Sequence, residues 1–317
     1  MKWYKGPSAS KKWFRLKSHY IPQFYLKPWE GADGKLEVFL RRSDGFLISK
    51  RLHRKATGYA VDLYKLPGVS PTDEHKMETA FMAPVDDEAV HARDMLLGAI
   101  TPTDLRTRHA WARFVLSLMI RSPEEVAEFK KSYTNLIMTS QPEFQAKYAK
   151  LREEGDPEWF EDWMVQYDAT HVERSAMFAI TTFIEHPRIL NLLQNMHWTV
   201  IDISPVTGRF MTSDRPVMLT QGMLQYSGHY ALPLSPTRLF LATTTIQFAQ
   251  QFMRLPASKI VREINKLVVG QARKYVYATD SSRLGFVRRQ MGKLPSPTLL
   301  APLIRTAAAG RFWAEKL

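Results

Sequence analysis

The chain has 317 residues, of which 45% are hydrophobic and 24% are charged, so it can form a large core and is too apolar to be disordered along its length. It contains no cysteine, which excludes disulfides and cysteine-ligated metal sites. A total of 44 Lys and Arg against 31 Asp and Glu gives a net charge of +13, which favours a polyanionic partner. No apolar run reaches the roughly 18 residues of a membrane span, and no signal-peptide stretch follows Met1. We therefore expect a cytoplasmic protein with no membrane partner.

The positive charge lies at the two ends of the chain. Residues 1–55 carry a net charge of +10 and residues 196–317 a net charge of +11, whereas residues 56–120 and 121–195 carry −3 and −5. Two basic ends on one face would form a continuous positive surface, and on opposite faces they would serve solubility alone. The sequence leaves both arrangements open.

Residues 1–17 form a basic arm in which aromatic residues are interleaved with cations. Lysines beside aromatic rings suit phosphate contact and base stacking on single-stranded nucleic acid. The residues that we expect to contact nucleic acid are Lys11, Lys12, Trp13 and Arg15. Packing of the arm on its own domain, or on an acidic protein, explains the same composition.

The next segments predict a β-rich region over 31–62 and a helical region over 72–195. Leu36, Val38 and Leu40 alternate with other residues ahead of the turn dipeptide Asp44-Gly45, which is typical of a hairpin. Pro84 is expected to interrupt the first helix, and apolar residues at helical spacing predict a buried helix over 105–121. One further helix is expected from about residue 157 to 185.

Residues 196–280 are predicted to be β-rich with one helix. Residues 283–317 are basic, contain three prolines and are expected to form a loosely packed tail. The predicted fold class is α+β, with a central helical block and short antiparallel strands from the N-terminal and C-terminal regions, which could share one sheet. Residues 18–282 are expected to form a single integrated domain.

Several short motifs are spread along this domain. The opening stretch is His19-Tyr20-Ile21-Pro22-Gln23-Phe24-Tyr25-Leu26, and Glu78 and Glu88 follow in a helical region. Later come Ser213-Asp214-Arg215-Pro216-Val217, Pro233-Leu234-Ser235-Pro236, Asn265 and Gln271. In these motifs the chain resembles a mostly bacterial family known as domain of unknown function 4238, over about residues 18–280. Because the activity of that family is not established, the resemblance implies little about function.

The same motifs supply candidate site residues. Acidic side chains among apolar neighbours persist when they are paired or act as ligands, and carboxylate oxygens are ligands that Mg²⁺ and Mn²⁺ prefer. We therefore predict Glu78, Glu88 and Asp214 as metal or acid/base carboxylates, His19 as a base or ligand, and Gln23 as an orienting amide.

Each candidate also has a structural interpretation. His19 could be a hydrogen-bonded core histidine, and Gln23 a buried amide that satisfies the backbone. Asp214 could close the turn before a proline, and a nucleophilic Ser213 lacks the flanking glycines of a nucleophile elbow. Glu88 and His91 have the Glu-x-x-His spacing of dimetal helical bundles, but a solvated pair on an acidic helix explains this spacing better.

The function expected from these features is action on nucleic acid, in its most specific form a metal-dependent nuclease of a defence or toxin type. The alternatives are a non-catalytic module that binds nucleic acid or an acidic protein, and an enzyme for a small anionic substrate. No phosphate-binding loop or dinucleotide motif occurs, so no nucleotide cofactor is expected. The sequence leaves the oligomeric state open.

Overall fold

The computed structural model describes residues 15–139, 141–220 and 225–295. Its N-terminal part contains four short strands and one short helix, and the strands follow from alternating apolar residues and a glycine turn. Gly45 has a φ of 84°, which a glycine adopts without strain, and it turns the chain between the second and third strands. The elements are β1 (Lys17–His19), α1 (Gln23–Leu26), β2 (Leu36–Arg41), β3 (Leu47–Leu52) and β4 (Tyr59–Val61).

The middle of the chain is helical, as predicted. Its helices are α2 (Ala83–Leu97), α3 (Leu105–Ile120), α4 (Pro123–Thr139), α5 (Gln141–Leu151), α6 (Phe160–Asp168), α7 (His171–Ile184) and α8 (Pro187–Asn195). Helix α3 is the most buried of them, because apolar residues cover most of its circumference. The sequence correctly places this helix.

Two details of the helical region differ from the sequence-based expectation. The predicted break at Pro84 is a change of helix type, because a π-helix over Met77–Met82 runs directly into α2, with the proline in the first turn. The helix expected over 157–185 is divided into α6 and α7. The Asp168 side chain accepts hydrogen bonds from the backbone N–H and the hydroxyl of Thr170, which ends α6.

The C-terminal part returns to strands and contains two helices where one was expected, followed by a third beyond the last strand. Its elements are β5 (His197–Asp202), β6 (Thr212–Ser213), β7 (Met218–Thr220), β8 (His229–Pro233), β9 (Arg238–Thr243), α9 (Ile246–Met253), α10 (Ala257–Gly270), β10 (Tyr275–Ala278) and α11 (Leu284–Gln290).

The described strands form three antiparallel sheets, with strand orders β1-β4, β3-β2-β10-β6 and β5-β9-β8-β7. In the second sheet, β2 pairs with β10 so that Leu40 lies opposite Tyr275. The two ends of the chain therefore share a sheet, and the α+β prediction is confirmed.

Two apolar cores hold these layers together. The larger surrounds α3 and includes Trp111 and Phe114 together with the opening motif. The smaller lies between the sheets and α10. The sequence predicts a loosely packed tail from residue 283. In the described part of this segment, however, Val287 of α11 is fully buried in the smaller core, and the Leu294 N–H donates to the Gly270 carbonyl. Within the described ranges, no helix is long and apolar enough to cross a membrane.

Candidate functional site

The motif side chains converge on one irregular segment, residues 209–217, which contains β6. The Tyr25 hydroxyl donates to the Pro233 carbonyl and accepts from the Thr212 hydroxyl, both at 2.7 Å. Trp29 Nε1 donates to the Phe210 carbonyl at 3.1 Å. The opening motif therefore holds a strand segment that lies almost two hundred residues later in the chain.

Two amide side chains hold the same segment from the other side. Asn265 donates to the Arg209 carbonyl and accepts from the Met211 N–H, both at 2.8 Å. Gln271 Nε2 donates to the carbonyl oxygens of Arg215 and Val217. Because a buried backbone group without a partner is costly, these amides fix a segment that has little regular pairing of its own.

Asp214 is buried, and backbone groups occupy both of its carboxylate oxygens. Oδ1 accepts from the Arg273 N–H at 3.0 Å, and Oδ2 accepts from the N–H groups of Lys274 and Tyr275. Burial raises the pKa of Asp214 to about 6, although the three N–H bonds favour its ionised form. Asp214 thus fixes the turn before β10, and not the turn before Pro216 that the sequence-based interpretation gave it. In that turn the Ser213 hydroxyl accepts from the Arg215 N–H.

His19 ends β1 and lies beside the ring of Tyr59, with ring centroids 5.6 Å apart. Burial lowers the pKa of His19 and Lys17 lowers it further, while a hydrogen bond to the Lys55 backbone opposes them. Its Nε2 atom is buried and has no hydrogen-bond partner among the described residues. Burial therefore disfavours the charged imidazole, and one ring nitrogen has no partner among the described residues.

Gln23 is the first residue of α1 and is half-buried. Helix α1 packs beside the turn Arg54–Ala56, and the same turn carries the Lys55 backbone that bonds to His19. The structure therefore brings His19 and helix α1, which begins at Gln23, to one turn.

Glu78 lies on the π-helix and contacts the other face of β1. Its carboxylate accepts a hydrogen bond from Ser18, and its Oε2 atom is buried without a partner among the described residues. Burial raises the pKa of Glu78 to about 7, against the attraction of Arg121. Because successive strand residues point to opposite faces, Ser18 faces Glu78 while His19 faces away from it.

Arg121, at the C-terminus of α3, is fully buried, and we did not predict it from the sequence. Its guanidinium donates to Asp86 at 2.8 Å and to the Ser117 hydroxyl at 2.6 Å, and its carbonyl accepts from the Tyr64 hydroxyl. We call these four residues and Glu78 the Arg121 cluster. The one local signal is an arginine directly after a mostly apolar, buried helix.

Glu88 lies elsewhere on α2 and is exposed. It forms an ion pair with Arg113, which also pairs with Glu185. Glu88 and His91 line an open cavity of about 780 Å³ beside the first turn of α3. No hydrogen bond or ion pair among the described residues joins Glu78, Glu88 and Asp214 to one another.

Among the residues described, 15–139, 141–220 and 225–295, no three His, Asp or Glu side chains are grouped so that they could hold a metal ion. Mg²⁺ or Mn²⁺ at Glu78, Glu88 and Asp214 stays a prediction. No solved structure matches the chain, and no curated protein does. A family model described as "Protein of unknown function (DUF4238)" matches residues 17–282. The chain belongs to this family.

The DUF4238 match includes the five candidate residues His19, Gln23, Glu78, Glu88 and Asp214 and begins after the basic arm. Lys11, Lys12 and Trp13 lie outside the described residues. Arg15 is exposed and lies 3.8 Å from the Asp62 carboxylate. The predicted nucleic-acid contacts of the arm stay predictions.

A second group of cations lies beside the pairing of β2 with β10. From the sequence, the basic residues of the two terminal regions could lie on one face or on opposite faces. The Arg41 N–H donates to the Lys274 carbonyl at 2.9 Å, and the Arg41 guanidinium donates to the Met291 carbonyl. We call the following residues the composite basic surface: Arg41, Arg42, Arg273, Lys274 and Lys293. All but Arg41 are exposed, and Lys293 lies beyond the DUF4238 match.

Aromatic rings accompany these cations. Phe46 is 72% exposed on the turn after β2, and its carbonyl accepts from the Arg42 N–H at 2.9 Å. The Lys274 ammonium lies 5.2 Å from the centre of the Tyr275 ring. Asp44 pairs with Arg42 at 2.9 Å, so the surface has one acidic neighbour on this turn. This combination of exposed cations and rings suits a phosphate backbone with accessible bases.

Proposed function

We propose that the protein binds nucleic acid through the composite basic surface. The observation that carries the proposal is the pairing of β2 with β10, which places basic residues from both ends of the chain side by side. Basic residues on one face, unlike basic residues on opposite faces, create a local concentration of positive charge. Such a concentration attracts a polyanion and releases its counterions on binding.

Single-stranded nucleic acid is the form that the surface favours. The side chains of Arg273 and Lys274 are exposed and can contact phosphate oxygens. Asp214 binds only the backbone N–H groups of these two residues, which fixes the turn that carries them. Phe46 offers an exposed ring on which a base can stack. The lack of cysteine is consistent with our further proposal that the protein acts in the cytoplasm.

The test compares two triple variants that each remove three exposed cations. Arg273→Ala/Lys274→Ala/Lys293→Ala removes part of the composite basic surface, and Lys147→Ala/Lys150→Ala/Arg152→Ala changes the charge equally on and just after α5. Binding of a fluorescein-labelled 20-nucleotide DNA and the equivalent RNA is followed by fluorescence anisotropy. We expect the first variant to bind at least about tenfold more weakly and the control to bind like the parent.

Equal losses in the two variants would mean that net charge alone governs binding. Unchanged binding in the first variant would contradict the proposal. A duplex of the same sequence, measured in parallel, shows whether the single strand is preferred.

Hydrolysis of the bound strand is a second candidate, and the geometry of Glu78 favours it. This carboxyl is held by Ser18 and keeps one buried oxygen without a partner, as an acid or base in a protected site requires. With labelled DNA or RNA and added Mg²⁺ or Mn²⁺, Glu78→Gln should abolish any cleavage by the parent. Glu173→Gln, which alters an exposed ion pair with Lys130, is the matched control. Equal cleavage by the parent and Glu78→Gln would exclude this role.

A further inference from the structure

A separate cavity lies between the loop that follows β5, helix α10 and the start of α11. Its volume is about 450 Å³, within the range of pockets that take small molecules. Val206, Met211, Val261 and Phe286 give it an apolar lining. None of the site residues predicted from the sequence lines it.

Two arginines, Arg262 and Arg283, are among the residues that line this cavity, and the described residues that line it include no Asp or Glu. Glu263 binds Arg262 through Nε at 3.0 Å on the exposed side of the helix. Near Arg283, the Asp280 carboxylate accepts from the Ser282 N–H at 2.8 Å. The lining therefore combines an apolar surface with positive charge, which is complementary to an amphipathic anion.

The wall of the cavity is held in place by the contacts of its loop. Asn265 bonds to the backbone of Arg209 and Met211, and the Arg209 guanidinium donates to the carbonyl oxygens of Val206 and Gly208. A Cβ atom at Gly208 would lie 3.2 Å from Val261 Cγ1, so a larger residue there would require Val261 to shift. A site that is already formed loses less conformational entropy when a ligand binds.

From this geometry we propose that the cavity binds a small organic anion, an aromatic or aliphatic body that carries one acidic group. The body lies against Val206, Met211 and Phe286, and the acidic group is held by Arg262 and Arg283. Charge-assisted bonds from a guanidinium suit carboxylate, sulfonate and phosphate groups alike. The site is distinct from the composite basic surface, and its occupancy does not depend on nucleic-acid binding.

The test uses the fluorescent probe 8-anilinonaphthalene-1-sulfonate, which has apolar rings and one sulfonate. The full-length protein should bind it saturably with one site per chain. Arg262→Ala/Arg283→Ala should weaken binding at least about tenfold, because two charge-assisted contacts are lost. Lys259→Ala/Lys266→Ala removes two cations of the same helix that do not line the cavity, and it should bind like the parent.

A second variant tests the location of the site without removing charge. Ser258 is exposed and lines the cavity, so Ser258→Trp should obstruct it and prevent binding while the protein stays folded by circular dichroism. Unchanged binding in Ser258→Trp, or equal losses in the two double variants, would overturn the proposal. Arg273→Ala/Lys274→Ala/Lys293→Ala should keep the probe site, so failure here is distinguishable from failure of the nucleic-acid proposal.

Competition against the bound probe identifies the acidic group. Phenylacetate and phenyl phosphate share an apolar ring and differ in the anion, whereas benzyl alcohol has no charge. Displacement by at least one of the anions and not by benzyl alcohol is the expected result. Equal displacement by all three would show that the guanidinium groups do not take part, which contradicts the proposal.

Discussion

At the scale of single residues, the two candidate carboxylates Asp214 and Glu78 differ in how their oxygens are hydrogen-bonded. Asp214 accepts three backbone N–H bonds, whereas Glu78 keeps a buried oxygen without a partner among the described residues. A motif aspartate and a motif glutamate that look equivalent in sequence thus have different physical roles. The first fixes backbone geometry, and the second keeps an oxygen to which no described residue donates.

Asp214→Ala should destabilise the fold, because three buried N–H groups lose their acceptor. Each loss of this kind costs about 1–3 kcal/mol before relaxation, so we expect a decrease of about 3 kcal/mol or more in the free energy of unfolding. Urea titration followed by circular dichroism measures it. Asp280→Ala, which removes one exposed N–H acceptor, is the control and should cost about 1 kcal/mol. A similar cost at both positions would contradict the structural role of Asp214.

The pH dependence of stability should carry a contribution from Glu78. Its pKa is raised from 4.5 to about 7, so the folded protein binds more protons than the unfolded chain between these values. The stabilisation is fully present below pH 4.5 and is lost as the pH rises through 7. Relative to Glu78→Gln, the parent should lose about 1–3 kcal/mol of unfolding free energy between pH 5 and 8.

Urea titrations of the two proteins at several pH values give this difference, and groups common to both cancel. A difference that is constant with pH would mean that Glu78 has an ordinary pKa. A difference of opposite sign would mean that Arg121, and not burial, dominates its environment.

At the scale of elements, the Arg121 cluster joins α2 to the end of α3. Arg121 is fully buried against Asp86, and removal of one partner leaves the other charge uncompensated. Arg121→Leu should therefore cost about 3–5 kcal/mol, and Arg121→Leu/Asp86→Leu should recover part of that loss. Lys130→Met, which breaks the more exposed pair with Glu173 between α4 and α7, should cost less than about 1 kcal/mol.

Chemical denaturation of the parent, Arg121→Leu, Asp86→Leu, the double variant and Lys130→Met completes this comparison. If the double variant is as unstable as the sum of its two single variants, Arg121 and Asp86 are not energetically coupled.

The elements also show which parts of the fold were predictable. Helix α3 was predictable because Trp111, Phe114 and Val115 repeat at helical spacing, and β2 because its apolar residues alternate. The Arg121 cluster was not, since Asp86 lies 35 residues from Arg121 and no local pattern encodes the contact. An arginine is ordinarily a surface residue, so its burial follows only from tertiary structure.

At the scale of the whole molecule, the amount of charge near each end could be counted from the sequence, but its placement in space could not be predicted. The pairing of β2 with β10 is a contact between residues more than two hundred positions apart, and it brings described basic residues of the two terminal regions together. The candidate site was only partly predictable for the same reason. His19 and helix α1, which begins at Gln23, approach one turn, whereas Glu88 lies on an exposed face and the Asp214 carboxylate is bonded to backbone groups.

The salt dependence of binding tests the central claim most directly. Plots of log affinity for a labelled single strand against log salt concentration have a slope of about 0.7 per phosphate contact. Arg273→Ala/Lys274→Ala/Lys293→Ala should make the slope shallower by about 2, whereas Lys147→Ala/Lys150→Ala/Arg152→Ala should leave it unchanged. Equal slopes for the parent and both variants would contradict nucleic-acid binding at the composite basic surface.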